Sequence, residues 1–158
     1  MLAIGACLVD DPEIGFYSEL RPLSMEATPD AMAVNGLSMD ALAESATPPA
    51  RAVADFDTWI ARQVPEGKPL FAGFNAAFDW MFVNDYFHRY LGRNPFGHAA
   101  LDMKSLYMGL TGAAWRETSF RNVARRYGLG ERLTHNALDD ARDQAALLRR
   151  MLREANER

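Results

Sequence analysis

The sequence predicts an α/β fold, a single domain over residues 1–158 in which a mixed β-sheet is flanked by helices. Short apolar runs that end at turn residues alternate with longer segments whose apolar residues recur at helical spacing. Acidic residues stand at the starts of two predicted helices, where ligand sites of α/β folds tend to lie. With 49% hydrophobic and 24% charged residues, the composition is that of a globular domain long enough for one core.

The first two predicted strands form a β-hairpin. Residues 2–9 are an apolar run that ends at the turn signal Asp10-Asp11-Pro12-Glu13, and residues 16–20 alternate as the returning strand. The acids of this turn are metal ligands by type, but turns also select Asp and Pro for backbone reasons. We therefore expect a solvated hairpin tip.

Helical segments follow the hairpin. Thr28 caps a short helix that ends at Asn35-Gly36, and Ser38 caps another short turn through residue 42. From residue 49 a longer helix is predicted, since one face carries Val53, Phe56, Ile60 and Val64.

A second buried strand, residues 69–74, leads directly into a helix that extends to residue 91. This helix is apolar on most faces, so we expect it to be largely buried. Asp79 lies in its first turn. Because burying an unpaired carboxylate is costly, Asp79 either caps the helix and meets its dipole or binds a divalent cation.

The remaining chain is predicted as one short strand and three helices. Residues 99–101 form the strand, and Asp102 caps a helix through residue 110. Thr118 and Ser119 cap the next helix, residues 120–127. Its cations Arg121, Arg125 and Arg126 are either solvated or in contact with phosphates.

His135 stands five residues before Asp140, where a polar loop turns into the last predicted helix, from about residue 137 to residue 155. Asn136 is the expected N-cap of that helix. One interpretation is structural: the acids meet the helix dipole, and the histidine caps or packs. The other is functional: a general-base histidine lies beside a metal-binding carboxylate.

Bulk properties exclude several classes of protein. The net charge of −4 provides no global basic field for nucleic acid, so any such contact must be local or mediated by metal ions. A single cysteine, Cys7, rules out a disulfide framework and fits a reducing, cytoplasmic location. No apolar run approaches the roughly 20 residues of a membrane span, so we expect no membrane partner.

Two ordered motifs connect these residues to a known family. Asn75-x-x-Phe78-Asp79 after a strand, followed downstream by His135-x-Ala137-x-x-Asp140-Ala141, resembles the second and third motifs of the DEDDh 3′–5′ exonucleases. That superfamily includes ribonuclease T, oligoribonuclease and the proofreading subunits of DNA polymerases. Residues 29–37 and 100–104 resemble its connecting segments, so the resemblance covers essentially the whole chain.

The resemblance implies a ribonuclease H-like fold and a specific chemistry. Nucleoside 5′-monophosphates would be released from the 3′ ends of single-stranded DNA or RNA by hydrolysis with two Mg²⁺ or Mn²⁺ ions. Asp140 would be a metal ligand, Asp79 a ligand directly or through water, and His135 the base for the attacking water. Asn75, Phe78 and Phe74 would contact substrate, although core packing is the alternative for both phenylalanines. The resemblance is also compatible with a homodimer.

One departure from the family concerns its first motif, Asp-x-Glu at the end of the first strand. The early match by letters, Asp11-Pro12-Glu13, falls on the hairpin tip. We therefore expect a domain truncated at its amino terminus, without the central strand and two of the acids, and inactive as it stands. An upstream start, a trimmed fragment and a real loss of catalysis remain open; the last would leave a non-catalytic module that binds nucleic-acid ends.

Overall fold

The computed structural model describes residues 1–28, 36–130 and 134–157. Strands in this part of the chain are β1 (Ala3–Cys7), β2 (Gly15–Glu19), β3 (Phe71–Gly73) and β4 (Ala100–Asp102). The helices are α1 (Met39–Ser45), α2 (Pro49–Gln63), α3 (Ala76–Leu91), α4 (Met103–Thr111), α5 (Phe120–Arg126) and α6 (Ala137–Asn156). A 3₁₀ turn, Trp115–Glu117, precedes α5. The predicted α/β class is confirmed.

Strands β1 and β2 form the predicted antiparallel hairpin, with Ala3 opposite Glu19 and Cys7 opposite Gly15. The tip closes through the Leu8 N–H, which donates to the Ile14 carbonyl at 3.1 Å. Asp11 is exposed there and accepts the Ile14 N–H at its backbone carbonyl, 3.0 Å away. The acidic turn is thus a solvated hairpin tip, as expected.

The predicted sheet is present as two halves. Strands β3 and β4 pair in parallel, with Phe71 opposite Ala100 and Gly73 opposite Asp102, and this pair is separate from the β1–β2 hairpin. A cavity of about 770 Å³ lies between the halves and is lined along its length by residues 1–9 and 69–73. In the described part of the chain no strand joins β1 to β3.

Two apolar clusters form the core. The first packs the hairpin against α2 and α3 and includes Ile4, Leu20, Val53, Phe56 and Phe87. The second packs α4, α5 and α6 together and includes Met103, Tyr107, Val123, Leu147 and Met151. The two clusters lie on opposite faces of the β3–β4 pair: Phe71 packs against the first cluster and the next residue, Ala72, against the second.

The expectation that α3 is largely buried was wrong for its first turns. Phe78 is 57% exposed and Met81 is 53% exposed, whereas Val83 and Phe87 are buried. One side of its first turns, including Phe78 and Asp79, lines the cavity instead of the core.

Most predicted helix caps are observed. The side chains of Ser38, Asp102, Ser119 and Asn136 each accept a backbone N–H in the first turn of the following helix. Thr118 is different: it is fully buried, and its hydroxyl donates to the Trp115 carbonyl at 2.7 Å. The short helix predicted between Thr28 and Asn35-Gly36 lies outside the described residues. Among the helices that are described, none combines the length and apolar character needed to cross a membrane.

Candidate functional site

The cavity between the half-sheets contains the residues that the motifs single out. Asp79 at the start of α3 and His135 and Asp140 at the start of α6 all line it. They come from segments more than 50 residues apart in the chain. Phe78 lines the same cavity, whereas Phe74 and Asn75 do not belong to its lining.

The loop before α6 is held by Asp140. Its Oδ1 accepts the backbone N–H groups of Thr134 and His135, at 2.8 and 3.1 Å, and the Thr134 hydroxyl at 3.3 Å. Among the described residues, nothing donates a hydrogen bond to the other oxygen, Oδ2. Asp140 therefore holds the loop through one of its two carboxylate oxygens.

His135 is exposed, and its backbone adopts a left-handed conformation with φ of 64°. Few residues other than glycine adopt this region, and histidine is among those enriched there. The helix cap comes from Asn136, whose side chain accepts the Leu138 and Asp139 N–H groups at 3.0 and 3.2 Å. The structural interpretation, in which His135 caps the helix or packs in the core, therefore does not describe this residue.

Asp79 lines the cavity and is exposed to solvent. Although it keeps solvent contact, desolvation by the surrounding walls raises the pKa of its carboxyl, and its own backbone N–H partly offsets this. Besides lining the cavity, the Asp79 carboxyl accepts its own backbone N–H in the first turn of α3, but it does not cap the first residue of that helix. The Ala76 N–H at the start of α3 donates to Asp102 Oδ1 at 3.0 Å, so the cap comes from the end of β4.

Two residues that position the site were not singled out from the sequence in this role. Asp102 was predicted as the cap of α4, but it also holds the start of α3. Its pKa would be raised by desolvation, but hydrogen bonds from Ser105, Ala76 and Lys104 lower it below the usual range. Gln144 Oε1 accepts the Phe74 N–H at 2.9 Å, which joins α6 to the end of β3. Gln144 stands four residues after Asp140, so the sequence alone places the two side chains on the same face of the helix.

The two phenylalanines have different environments. Phe74 is partly buried: it packs edge-on against Phe120, with ring centroids 5.2 Å apart, and lies against the second core cluster. Phe78 lies exposed beside Asp79 and touches Phe82 edge-on at 5.4 Å. Asn75 is exposed in a left-handed conformation with φ of 62° and makes no capping hydrogen bond with its side chain.

The start of α6 is electronegative. Asp139, Asp140 and Asp143 lie within its first two turns, and desolvation together with the charges of Asp140 and Asp139 raises the pKa of Asp143. Arg142 lies in the same turns, where its guanidinium contacts Asp139 at 3.3 Å and donates to the Pro12 carbonyl. A polyanion would be repelled here unless cations intervened.

The carboxylates suit a divalent metal in kind but not in number. Hard oxygen ligands such as Asp79 and Asp140 are those that Mg²⁺ and Mn²⁺ prefer, and Mg²⁺ takes about six ligands in all. Within the part of the chain described, no group of three or more His, Cys, Asp or Glu side chains is placed to hold a metal ion. The residues present therefore fit one part of a metal site.

The architecture is that of DEDDh nuclease domains. The nuclease domain of 3′hExo, a DEDDh family member bound to rAMP, matches with a TM-score of 0.72 at 18% identity over 89% of this chain and 72% of that one. A 3′-exonuclease that recognises the histone mRNA stem-loop gives 0.71 at 17% identity, over 89% and 64%. Cell-death related nuclease 4 gives 0.68 at 17% identity, over 89% and 50%.

Sequence comparison narrows the class to a family. A model of the ribonuclease T type, described as exonuclease, matches residues 1–148. The 3′-5′ DNA exonuclease Cap18 of Escherichia coli is 46% identical over 150 residues, which cover 94% of this chain and 80% of Cap18. The chain belongs to this exonuclease family within the DEDDh superfamily, as the motifs around Asp79 and Asp140 predicted.

Proposed function

We propose that this protein is a 3′–5′ exonuclease that releases nucleoside 5′-monophosphates from single-stranded DNA or RNA by two-metal hydrolysis. The observation that carries the proposal is that Asp79, His135 and Asp140, from distant segments, line one cavity. The 46% identity to a relative named as a 3′-5′ DNA exonuclease supports the direction of hydrolysis. The neighbours bound to rAMP and to a histone mRNA stem-loop support a nucleic-acid end as the substrate.

Each residue has a role in this proposal. Asp140 and Asp79 would hold Mg²⁺ or Mn²⁺, which would supply Lewis-acid stabilisation of the scissile phosphate. His135 would take a proton from the attacking water, because it is exposed at the cavity beside Asp140 and histidine is the side chain that most often acts as a general base. The hydrogen bonds from Thr134 and His135 to Asp140 Oδ1 would keep this base close to the ligand-bearing helix.

The terminal nucleotide would contact Phe78 and Asn75. The Phe78 ring is 57% exposed next to Asp79, and an exposed aromatic face stacks on a base whatever its sequence. Asn75 is exposed one turn earlier and offers an amide donor and acceptor. Phe74 would act indirectly, by packing against Phe120 under the site.

The other half of the metal site would come from a further strand outside these 158 residues. The cavity is lined by the adjacent edges of β1 and β3, whose backbone groups are unpaired within the described chain, and exposed strand edges favour pairing. We propose that the domain is truncated at its amino terminus. A strand ending in Asp-x-Glu would fill the cavity and bring two acids beside Asp79 and Asp140, and without it the chain would be inactive.

The test compares the 158-residue chain with a version extended upstream through an Asp-x-Glu strand. Both are incubated with 5′-labelled single-stranded DNA and RNA in Mg²⁺ or Mn²⁺. We expect stepwise shortening from the 3′ end by the extended protein alone. His135→Ala and Asp140→Asn should abolish shortening, whereas the matched control Asp139→Asn should retain it, because Asp139 pairs with Arg142 at the surface. An extended protein that digests neither polymer with either metal would refute the proposal.

A second candidate function is a non-catalytic module that binds nucleic-acid ends. The observation in its favour is that the described residues include no group of three potential metal ligands. Calorimetry on the 158-residue chain separates the two functions. Tight oligonucleotide binding without added metal, together with an extended protein that does not hydrolyse, would favour the module.

Two coarser expectations accompany the proposal. The single cysteine supports a cytoplasmic location, which fractionation of the native host would test. The family resemblance makes a homodimer worth testing, and sedimentation of the extended protein would measure it.

A further inference from the structure

Trp115 is an exposed aromatic residue that lies outside the cavity lining. Trp115 is 55% exposed, and the ammonium nitrogen of Lys104 stands 3.8 Å from the centroid of its ring. Tryptophan is a costly residue to leave in water, since its ring carries one of the largest apolar surfaces of any side chain. With Lys104 over one face and more than half of the residue exposed, the indole keeps a free face.

The backbone that carries this ring is firmly held. Glu117 accepts the Ala114 N–H at its side chain, 2.8 Å away, which closes the 3₁₀ turn. The buried Thr118 donates both its hydroxyl and its N–H to the Trp115 carbonyl, at 2.7 and 3.1 Å. Trp115 is therefore presented on a fixed turn, and ordering it on a ligand costs little backbone entropy.

The turn lies at the same edge of the fold as the candidate site. Strands β3 and β4 run parallel, so their carboxyl ends meet, with Gly73 opposite Asp102. Asp102 binds the Ala76 N–H at the start of α3, and Lys104 follows two residues later. The segment after the turn is also held near this edge, because Phe120 at the start of α5 packs on Phe74 at the end of β3.

Charge and shape favour single-stranded nucleic acid over a protein partner. Lys104 and the exposed Arg116 place positive charge around the indole, on a chain whose net charge is −4. A flat aromatic face next to cations is how proteins bind successive bases of a single strand without reading sequence. The lysine would also pair with the phosphate of the stacked nucleotide.

We propose that Trp115 and Lys104 form a stacking platform for a base of single-stranded nucleic acid, a short distance upstream of the 3′-terminal nucleotide. The inference rests on the proposed function, because it takes the strand to run from Asp79 across the carboxyl ends of β3 and β4. It extends that function with a length-dependent contact: because Trp115 lies outside the cavity lining, a strand must extend beyond the cavity to reach the platform.

The test measures binding by the 158-residue chain in Mg²⁺, because the acidic start of α6 repels a polyanion unless cations intervene, using fluorescence anisotropy of 5′-fluorescein oligothymidylates. One probe is a dinucleotide and the other has about ten nucleotides, within the usual footprint of a single-strand site. Trp115→Ala should weaken binding of the long probe about tenfold, the lower part of the range for base stacking, and leave the dinucleotide unchanged. Trp115→Phe should retain most of the affinity, because it keeps an aromatic face.

Salt dependence separates the two members of the platform. Lys104→Gln should lower the slope of log affinity against log salt by roughly 0.7 for the long probe, the value for one single-strand phosphate contact. Trp115→Phe should leave that slope unchanged. Leu152→Ala is the matched control, since Leu152 is a 40% exposed apolar residue near the end of α6 and outside the cavity lining.

Equal affinity of Trp115→Ala and the unmodified chain for the long probe would overturn the inference, and so would an equal loss for both probes. Absence of any binding of the long probe by the unmodified chain would overturn it as well. Because no hydrolysis is measured, a failure of the exonuclease proposal leaves this result intact. If the extended protein is an active exonuclease but its affinity for oligonucleotides does not depend on Trp115, the stacking platform is contradicted and the exonuclease proposal is not.

Discussion

Gly5 occupies the tightest contact between the hairpin and the helix that carries Asp140. A Cβ atom built on Gly5 would lie 2.1 Å from the Ala137 carbonyl carbon, 2.2 Å from its oxygen and 2.3 Å from the Leu138 nitrogen. All three are backbone atoms in the first turn of α6, so no side-chain rotation relieves the overlap. Gly5→Ala must therefore push the start of α6 away from β1, together with the loop of His135.

The expected cost follows from this geometry. Overpacking a well-packed contact costs about 1–3 kcal/mol, and the upper end applies because the obstacle is backbone. In a domain of this size each kcal/mol lowers the melting temperature by roughly 2–4 °C, so we expect a decrease of about 5–10 °C. Thermal unfolding followed by circular dichroism measures it. In the extended protein, the exonuclease rate should fall more than the folded fraction does.

Two other glycines provide graded controls. A Cβ on Gly15 meets the flexible end of the Leu138 side chain at 2.8 Å, so Gly15→Ala should cost less than Gly5→Ala. Gly109 lies inside α4, and a Cβ there meets nothing within 4 Å, so Gly109→Ala should stabilise by about 0.5–1 kcal/mol. If Gly5→Ala melts no lower than Gly109→Ala, the close packing of β1 on α6 is refuted.

Three further predictions concern the residues that surround the site. Asp102→Ala removes the cap of α4 and the acceptor for the Ala76 N–H, and should cost about 1–3 kcal/mol in urea unfolding at neutral pH. Hydrogen bonds hold the pKa of Asp102 in the folded protein below its usual range. The stability difference between the unmodified protein and Asp102→Ala should therefore have its full size above pH ~4 and should disappear as the pH falls through the pKa that Asp102 has in the folded protein. Gln144→Leu leaves the Phe74 N–H without its acceptor and should cost about 1–3 kcal/mol by the same assay. Phe74→Ala should cost about 2–3 kcal/mol, below the range for a fully buried phenylalanine because this ring is partly buried. Phe78→Ala should change stability by less than ~1 kcal/mol and instead weaken oligonucleotide binding.

Contrary outcomes would be informative in each case. A stability gap for Asp102→Ala that persists unchanged to pH 2 would show that its carboxylate is not what holds α3 and α4. Wild-type stability of Gln144→Leu would mean that the link between α6 and β3 has no energetic weight. Equal stability losses for Phe74→Ala and Phe78→Ala would contradict the partly buried and exposed positions of the two rings.

The sequence by itself determined the parts that depend on neighbouring residues. Helix starts were predictable at Ser38, Asp102, Ser119 and Asn136, because a capping side chain bonds an N–H two or three residues away. The hairpin followed from alternation and a turn signal. The two motifs around Asp79 and Asp140 were also enough to predict the exonuclease family, which the comparisons confirm.

Only the tertiary structure decided how distant segments share space. It packed Phe74 against the second core cluster and left Phe78 exposed at the cavity, although both are apolar and four residues apart. It gave Asp102 a second partner on α3, linked Gln144 to β3, and separated the half-sheets by a cavity that exposes the start of α3. Burial and long-range hydrogen bonds depend on which surfaces meet in the folded chain, and a local pattern of residues does not contain that information.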